Sequence, residues 1–443
     1  MRRKKDRAVH SDIVRDSLNT FGTNVINTLI QIFSAIVVLS RVDPVINGLK
    51  AQVLLWGGGF CTVLSLSVNS SVVYYVARYK IENSKLSIQK LTAFISLVIT
   101  VLGAATLFVL KDSSLFPSTP PSFFAAMIAY GLSSFVLNIC MAILRGENKF
   151  KSYNVVNLTQ QILISALAVV IAVYPSASLW VWGTIAISLA MIVFSFYGVL
   201  RWNGTRPRPA PEDDFPVKTG KMVGYSLKSH VSNVLTYANS NLGSYIVQGI
   251  AGIGEYGVYS KAITVMQKIW ILPDAVSQVI LSRIAGMKDK GGQLKLAVVS
   301  TKIIAYATTA ATFLILGAAY LFVPLLFPMY KGMLGPMSYL AVGVIFISCS
   351  KVLGNSIAAY GRPELNILPT VLGIAANILF SILFIPPLGT NGVALASSIS
   401  MTVQGLSCMI IFCIFSHTAI YRLFLPSREE IAAVKSAFSI KRR

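Results

Sequence analysis

Runs of about 20 apolar residues recur along almost the whole chain, and no other feature constrains its fold as much. In a hydrocarbon environment every backbone N–H and C=O must find a partner inside its own segment, so each run can only be a helix. Twelve such spans are read, at about 18–40, 52–77, 91–110, 122–144, 156–174, 179–200, 223–248, 257–284, 297–323, 336–357, 367–385 and 391–415. The expected fold class is therefore an all-α polytopic membrane protein of about 12 transmembrane helices. Charged residues make up only 12% of the 443, against about 25% in a typical soluble domain. So little charge could not clothe a water-facing globule of this size.

The spans divide six and six around one long polar stretch, Arg201 to Lys221 (RWNGTRPRPAPEDDFPVKTGK). Its prolines and its lack of an apolar run exclude a membrane-spanning helix. The expected organisation is a six-helix bundle over 1–200, a cytoplasmic linker over 201–221, a second six-helix bundle over 222–425 and a basic tail over 426–443. In the tail, Ser427 and Glu430 fit a capping box, and Ile431, Val434 and Phe438 share one face of a surface helix. The halves are similar to each other. A shift of 209 places Asn24-Val25 on Asn233-Val234, Gly48 on Gly257 and Gly183 on Gly392, and a shift of 215 places Gly146 on Gly361. Repeats with an even number of spans share one topology, which implies an axis along the membrane normal and a cavity between the halves.

Lysine and arginine fix the orientation. Of 38 such residues the outer loops hold only Arg41, Lys50, Lys111 and Lys331, while Lys261 and Lys268 lie inside a span. The rest fall in segments that are cytoplasmic if both termini are inside. The net charge of +22 thus belongs to membrane topology and not to nucleic-acid binding. The basic start, MRRKKDRAVH, reads as a cytoplasmic anchor. Cys61, Cys140, Cys349, Cys408 and Cys413 lie in apolar runs without metal-binding spacing and read as small core residues.

Candidate functional residues are the polar ones inside spans. Thr20, Asn24, Asn27 and Gln31 recur at helical spacing in the first span, and the 209 shift carries them onto Ser229, Asn233, Thr236 and Ser240. Tyr237, Asn241, Ser244 and Gln248 widen the second stripe. Amides are costly against lipid, so each stripe faces either a neighbouring helix or a wet cavity. The eighth span places Lys261, Thr264 and Lys268 on one face and Gln267, Asp274 and Gln278 on another, with Pro273 between them. Lys261 either snorkels to the outer surface or lines the cavity. Lys268 is near mid-span, where its partners would be Asp274, an anionic cargo, or each at a different stage. Arg41 and Lys50 stand at the outer mouth, and Asp43 is placed to pair with Arg41. Arg78, Arg145, Arg283 and Lys302 follow the inner-surface charge bias. The sequence shows no phosphate-binding loop, paired carboxylates or metal-ligand set, and no outer loop long enough for a catalytic domain. Transport fits better than catalysis, and no cofactor is implied.

Three further stretches carry a resemblance: LRGENKFKSYNVVNL after span four, GIGEYGVYSKAITVMQKIWILPDAV across span eight, and GTNGVALASSIS into span twelve. With the two six-span halves, they resemble the oligosaccharide (O-antigen type) flippases, whose superfamily also holds lipid II flippases and multidrug and toxin extrusion antiporters. The resemblance implies a V-shaped pair of bundles working by alternating access in a bacterial inner membrane. It implies a cargo of oligosaccharide on undecaprenyl pyrophosphate, moved from the cytoplasmic to the periplasmic leaflet for cell-surface polysaccharide synthesis. Membrane lipids and the polysaccharide polymerase machinery are its implied partners. Flippases of this kind use cations on the first, second, seventh and eighth spans, and the matching positions are Arg41, Lys50, Lys261 and Lys268. Span seven departs from that pattern, with an uncharged interior suited to sugar hydroxyls. A cation-coupled multidrug antiporter is the alternative, and it would rest on Asp274. A membrane-embedded polymerase or glycosyltransferase fits less well.

Overall fold

The computed structural model describes residues 2–79, 81–116, 118–201, 217–287 and 289–425, and its regular structure among these is helical throughout. The linker at 202–216 and the tail at 426–443, with its expected surface helix, lie outside the described residues. The helices are α1 (Arg2–Arg41), α2 (Pro44–Leu64), α3 (Val68–Arg78), α4 (Ile81–Leu110), α5 (Pro121–Gly146), α6 (Phe150–Val173) and α7 (Ala177–Arg201). They continue with α8 (Thr219–Gln267), α9 (Ile271–Gly286), α10 (Lys290–Leu326), α11 (Leu334–Ala359), α12 (Ile367–Leu388) and α13 (Thr390–Ser416).

Among the described residues, nine helical segments are long and apolar enough to cross a membrane, and the bent pair α2–α3 makes a tenth. Expected spans seven and eight fall on α8 and α9. α9, of 16 residues, is too short to join that set, and the asparagines, serines and lysines of α8 lower its apolarity. About 12 helices in two bundles is the architecture. Phe108, Leu314 and Ile382 are exposed by 72%, 73% and 67%. Water would penalise so many exposed apolar side chains, whereas lipid accepts them. The chain is a multi-pass membrane protein.

Local chemistry sets several boundaries. Asp43 caps α2, its carboxylate accepting from the Val45 N–H at 2.7 Å, with Pro44 in the first turn where no amide is required. Asp289 caps α10 by accepting from Gly291 and Gly292. Within α8, Gly252 adopts φ 77° with ψ 171°, an extended positive-φ conformation open essentially to glycine alone, and interrupts the helical path there.

By packing, the chain forms two compact units, 1–258 and 259–443. In the first, α2 and α5 touch backbone to backbone: a β-carbon at Gly57 would lie 2.6 Å from the Met127 carbonyl oxygen. Such small-residue contacts substitute for the hydrophobic drive that lipid removes. Its cores include Val38, Val42, Ala168, Ile171 and Trp180 under α1, α6 and α7. In the second unit, α11 packs on α13 through Gly343, whose N–H donates to Ser398 Oγ at 2.9 Å. Cys349, Leu353, Met409 and Phe412 fill the core beneath. The repeat-related glycines Gly183 and Gly392 play one role each: Gly183 seats α7 on Leu167 of α6, and Gly392 seats α13 on the Phe384 carbonyl of α12.

Candidate functional site

Span two is broken. α2 and α3 meet at a 56° bend, and between them Leu66 (φ 49°) and Ser67 (φ 53°) both take the left-handed conformation, although neither is glycine. Non-glycine residues hold that geometry only where their surroundings over-determine it. Here the surroundings come from α8. Asn233 Nδ2 donates to Ser67 Oγ at 3.0 Å, and His230 Nδ1 lies 3.2 Å from the same oxygen.

A cavity of about 290 Å³ opens at the break, lined by Cys61, Thr62, Ser65, Ser67, Asn69, Phe135, Asn138 and Asn233. None of the eight is ionisable at neutral pH in the ordinary sense of a carboxylate or amine, and three are carboxamides. Among the described residues the Asn69 side chain has no hydrogen-bond partner, and Asn138 has only the Cys61 sulfur, at 3.7 Å. These are unspent donors and acceptors facing an open space.

Above the cavity the α8 stripe is committed to α2. The Tyr237 and Tyr245 hydroxyls both donate to the Leu55 carbonyl, at 3.0 and 3.1 Å. Gln248 accepts from Trp56 Nε1 at 3.1 Å and donates to the Leu115 carbonyl. Further along, Asn47, 2% exposed, donates to the Gly257 carbonyl at 2.8 Å. The repeat-related pair Gly48 and Gly257 meet there. A β-carbon on Gly48 would overlap the Ile253 carbonyl, and one on Gly257 would overlap the Pro44 carbonyl.

The other sequence-derived candidates divide as follows. On α1, Gln31 donates to Gln161 Oε1 of α6 at 3.0 Å, so its amide bonds helix to helix. Asn24 is exposed, and Asn27 holds a buried carboxamide oxygen without a partner. Neither lines the cavity. On α8, Asn241 donates to the Tyr237 carbonyl at 2.9 Å within its own helix, and Ser240 is half-buried. Arg41 is exposed at the end of α1. Lys50 Nζ sits 4.5 Å above the ring of buried Trp180, a cation–π contact. Arg78 donates to the Tyr74 hydroxyl at 2.9 Å, and Arg145 lies over Tyr153.

In the second unit, Lys261 is half-buried on α8 and Lys268 opens a single 3₁₀ turn before α9. Asp274, in the first turn of α9, accepts from Lys351 Nζ of α11 at 2.7 Å, and the same ammonium lies 4.4 Å above the Trp270 ring. Lys268 was the partner foreseen for Asp274. Lys351 is seventy-seven positions away in the chain and reads from sequence as an inner-surface charge.

Sequence reasoning found Asn233 but missed Ser67, Asn69 and Asn138. The signal was present, since Asn138 interrupts an apolar run (FVLNIC) and Asn69 lies in a serine-rich stretch within span two (SLSVNSS). The cost of an amide in lipid applies to them as it does to the stripe of span one.

Residues 93–329 match the family described as polysaccharide biosynthesis protein. Comparison with curated proteins gives no sequence match. Among solved structures, the chain is similar to an inward-facing multidrug resistance MATE family transporter of the MOP superfamily. That match has TM-score 0.65 and 15% identity, covering 92% of this chain and 98% of the other. The lipid II flippase MurJ in an inward closed conformation matches with TM-score 0.64 and 16% identity, over 93% of this chain and 89% of that one. A MOP superfamily transporter from Pyrococcus furiosus matches with TM-score 0.62 and 15% identity, over 93% and 96%. At these identities the likeness is one of fold.

Proposed function

We propose, from the premise that this chain belongs to the polysaccharide biosynthesis protein family, that it is a flippase for a lipid-linked oligosaccharide. Its cargo is a glycan on undecaprenyl pyrophosphate, carried from the cytoplasmic to the periplasmic leaflet of a bacterial inner membrane. Both termini are cytoplasmic on this reading. The two helix bundles, joined by the 201–221 linker, alternate between inward and outward openings. Lys261 and Lys268 hold the pyrophosphate or an acidic sugar, Arg41 and Lys50 contribute at the outer mouth, and the amide stripes of α1 and α8 serve the glycan.

The observation that carries this reading over a cation-coupled antiporter is the state of Asp274. It is the one carboxylate the sequence places deep in a span, and Lys351 lies 2.7 Å from it. A coupling cation would have to displace that lysine, which leaves the cation-rich chain better matched to an anionic cargo. A pyrophosphate is rewarded strongly by a partly desolvated ammonium. The family description points the same way, towards polysaccharide and away from drugs.

The test is made in a bacterium that carries this gene and displays a surface glycan. Deletion should abolish the surface glycan and leave the lipid-linked precursor on the cytoplasmic leaflet. Wild type should restore export, Lys268→Arg should restore it in part, and Lys268→Ala should fail at normal protein level. A deletion strain that still displays its glycan, with no precursor accumulating, would overturn the assignment.

A further inference from the structure

We infer that the cavity at the broken second span is a recognition site for one uncharged sugar ring of the cargo, separate from whatever holds the pyrophosphate. The inference deepens the flippase reading and rests on it.

Three properties of the cavity select its occupant. Among the described residues its lining holds no lysine, arginine, aspartate or glutamate, so neither a phosphate nor a metal or drug cation meets an ammonium, guanidinium or carboxylate counter-charge there. Its walls are mostly hydroxyl and carboxamide, with Phe135 as the single aromatic. An apolar guest would therefore strip water from Asn69 and Asn138 without replacing its hydrogen bonds, a net loss. A polyhydroxyl ring replaces them one for one, because a carboxamide both donates and accepts and so spans two neighbouring hydroxyls. The volume of about 290 Å³ lies near the lower limit for small-molecule cavities, roughly 300 Å³. That suits one ring better than a whole oligosaccharide.

The wall is also tied to the break in the helix. Ser67, held in its left-handed conformation, receives the Asn233 donor at 3.0 Å. A ring hydroxyl that competes for Asn233 therefore acts on the joint between α2 and α3. Asn69 and Asn138 stand ready on α3 and α5. A site built to bond hydroxyls also discriminates among sugars, since an analogue lacking one leaves the site's own polar groups unpaired. Cargo selection is thus placed in an uncharged pocket, and charge attraction elsewhere acts on every pyrophosphate lipid alike.

The test uses the full-length purified protein and two probes. One is a short-chain polyprenyl pyrophosphate without sugar. The other is the same lipid carrying one of several neutral mono- or disaccharides. Wild type should bind at least one glycosylated probe more tightly than the bare lipid. Asn69→Ala and Asn138→Ala should each remove roughly 5-fold of that advantage, and the double variant roughly 25-fold. Affinity for the bare lipid should be unchanged. Asn138→Leu, which fills the cavity and suits an apolar helix, should erase the advantage too and serves if the double variant does not fold. Retention of the glycan preference by these variants would overturn the inference, as would equal loss of both probes at an unchanged unfolding temperature. If wild type binds neither probe, the flippase reading itself falls. If it binds the bare lipid and no sugar adds affinity, only the pocket assignment falls.

Discussion

Replacing Gly48 by alanine should drive α2 away from the end of α8, and the size of the effect follows from the contact. The added β-carbon would overlap the Ile253 carbonyl oxygen and lie 3.0 Å from its carbon and 3.2 Å from the Gly257 nitrogen. These are backbone atoms within helix, so they cannot swing aside. Overpacking of this kind costs about 1–3 kcal/mol. Moving the helices apart also breaks the buried bond from Asn47 to the Gly257 carbonyl, 2.8 Å long, for about 1 kcal/mol more. Alanine favours helix over glycine by about 1 kcal/mol, but α2 is helical whether or not it touches α8, so that gain cancels. The packed arrangement should therefore lose about 2–4 kcal/mol, a shift of about 30- to 700-fold in the equilibrium. Nitroxide labels at Val45→Cys and Ile250→Cys, both exposed positions, would report the distance by pulsed electron resonance. Cys413 would be replaced first, the other four native cysteines being buried. Wild type should show a dominant short distance, and Gly48→Ala and Gly257→Ala a dominant long one. An unchanged distribution in both variants would refute the packing argument.

Two smaller predictions concern stability. Removing Lys351 leaves Asp274 without that partner, yet the carboxylate is 51% exposed, so Lys351→Ala should cost only about 1 kcal/mol by pairing. In a double-mutant cycle on thermal unfolding, Asp274→Asn should recover most of that loss, and full additivity would show the pair to be idle. At Gly252, φ 77° with ψ 171° makes alanine strained by about 1–3 kcal/mol. Gly252→Ala should therefore lower the unfolding temperature, whereas Gly224→Ala, where a β-carbon meets open space, should not.

Span positions and the membrane class were legible in the sequence because each rests on a local signal, length and apolarity read over one helix. What was hidden depends on partners distant in the chain. The break in span two falls in LSLSV, with no glycine or proline to announce it. Ser67 is held there by Asn233, which lies on α8. Asp43 was expected to pair with Arg41 and instead caps α2, a role that its position one residue before Pro44 could have suggested. Lys50 read as an outer-mouth cation, and Trp180, on α7, gives it an aromatic partner. The stripe of α8 was found as a stripe. That Tyr237 and Gln248 spend it on α2, while Asn233 borders the cavity, follows only from how the helices pack.

Movement of a pyrophosphate-linked glycan across a bilayer by this protein can be followed in liposomes. Vesicles would carry a short-chain polyprenyl-pyrophosphate oligosaccharide, with a glycan-cleaving enzyme added outside to report each molecule that arrives from the inner leaflet. Wild-type protein should speed complete cleavage over protein-free vesicles, and Lys268→Ala should fall back to the protein-free rate. If wild type leaves the inner half of the glycan protected, while a cation gradient drives dye out of the same vesicles, the account is wrong and the antiporter reading replaces it.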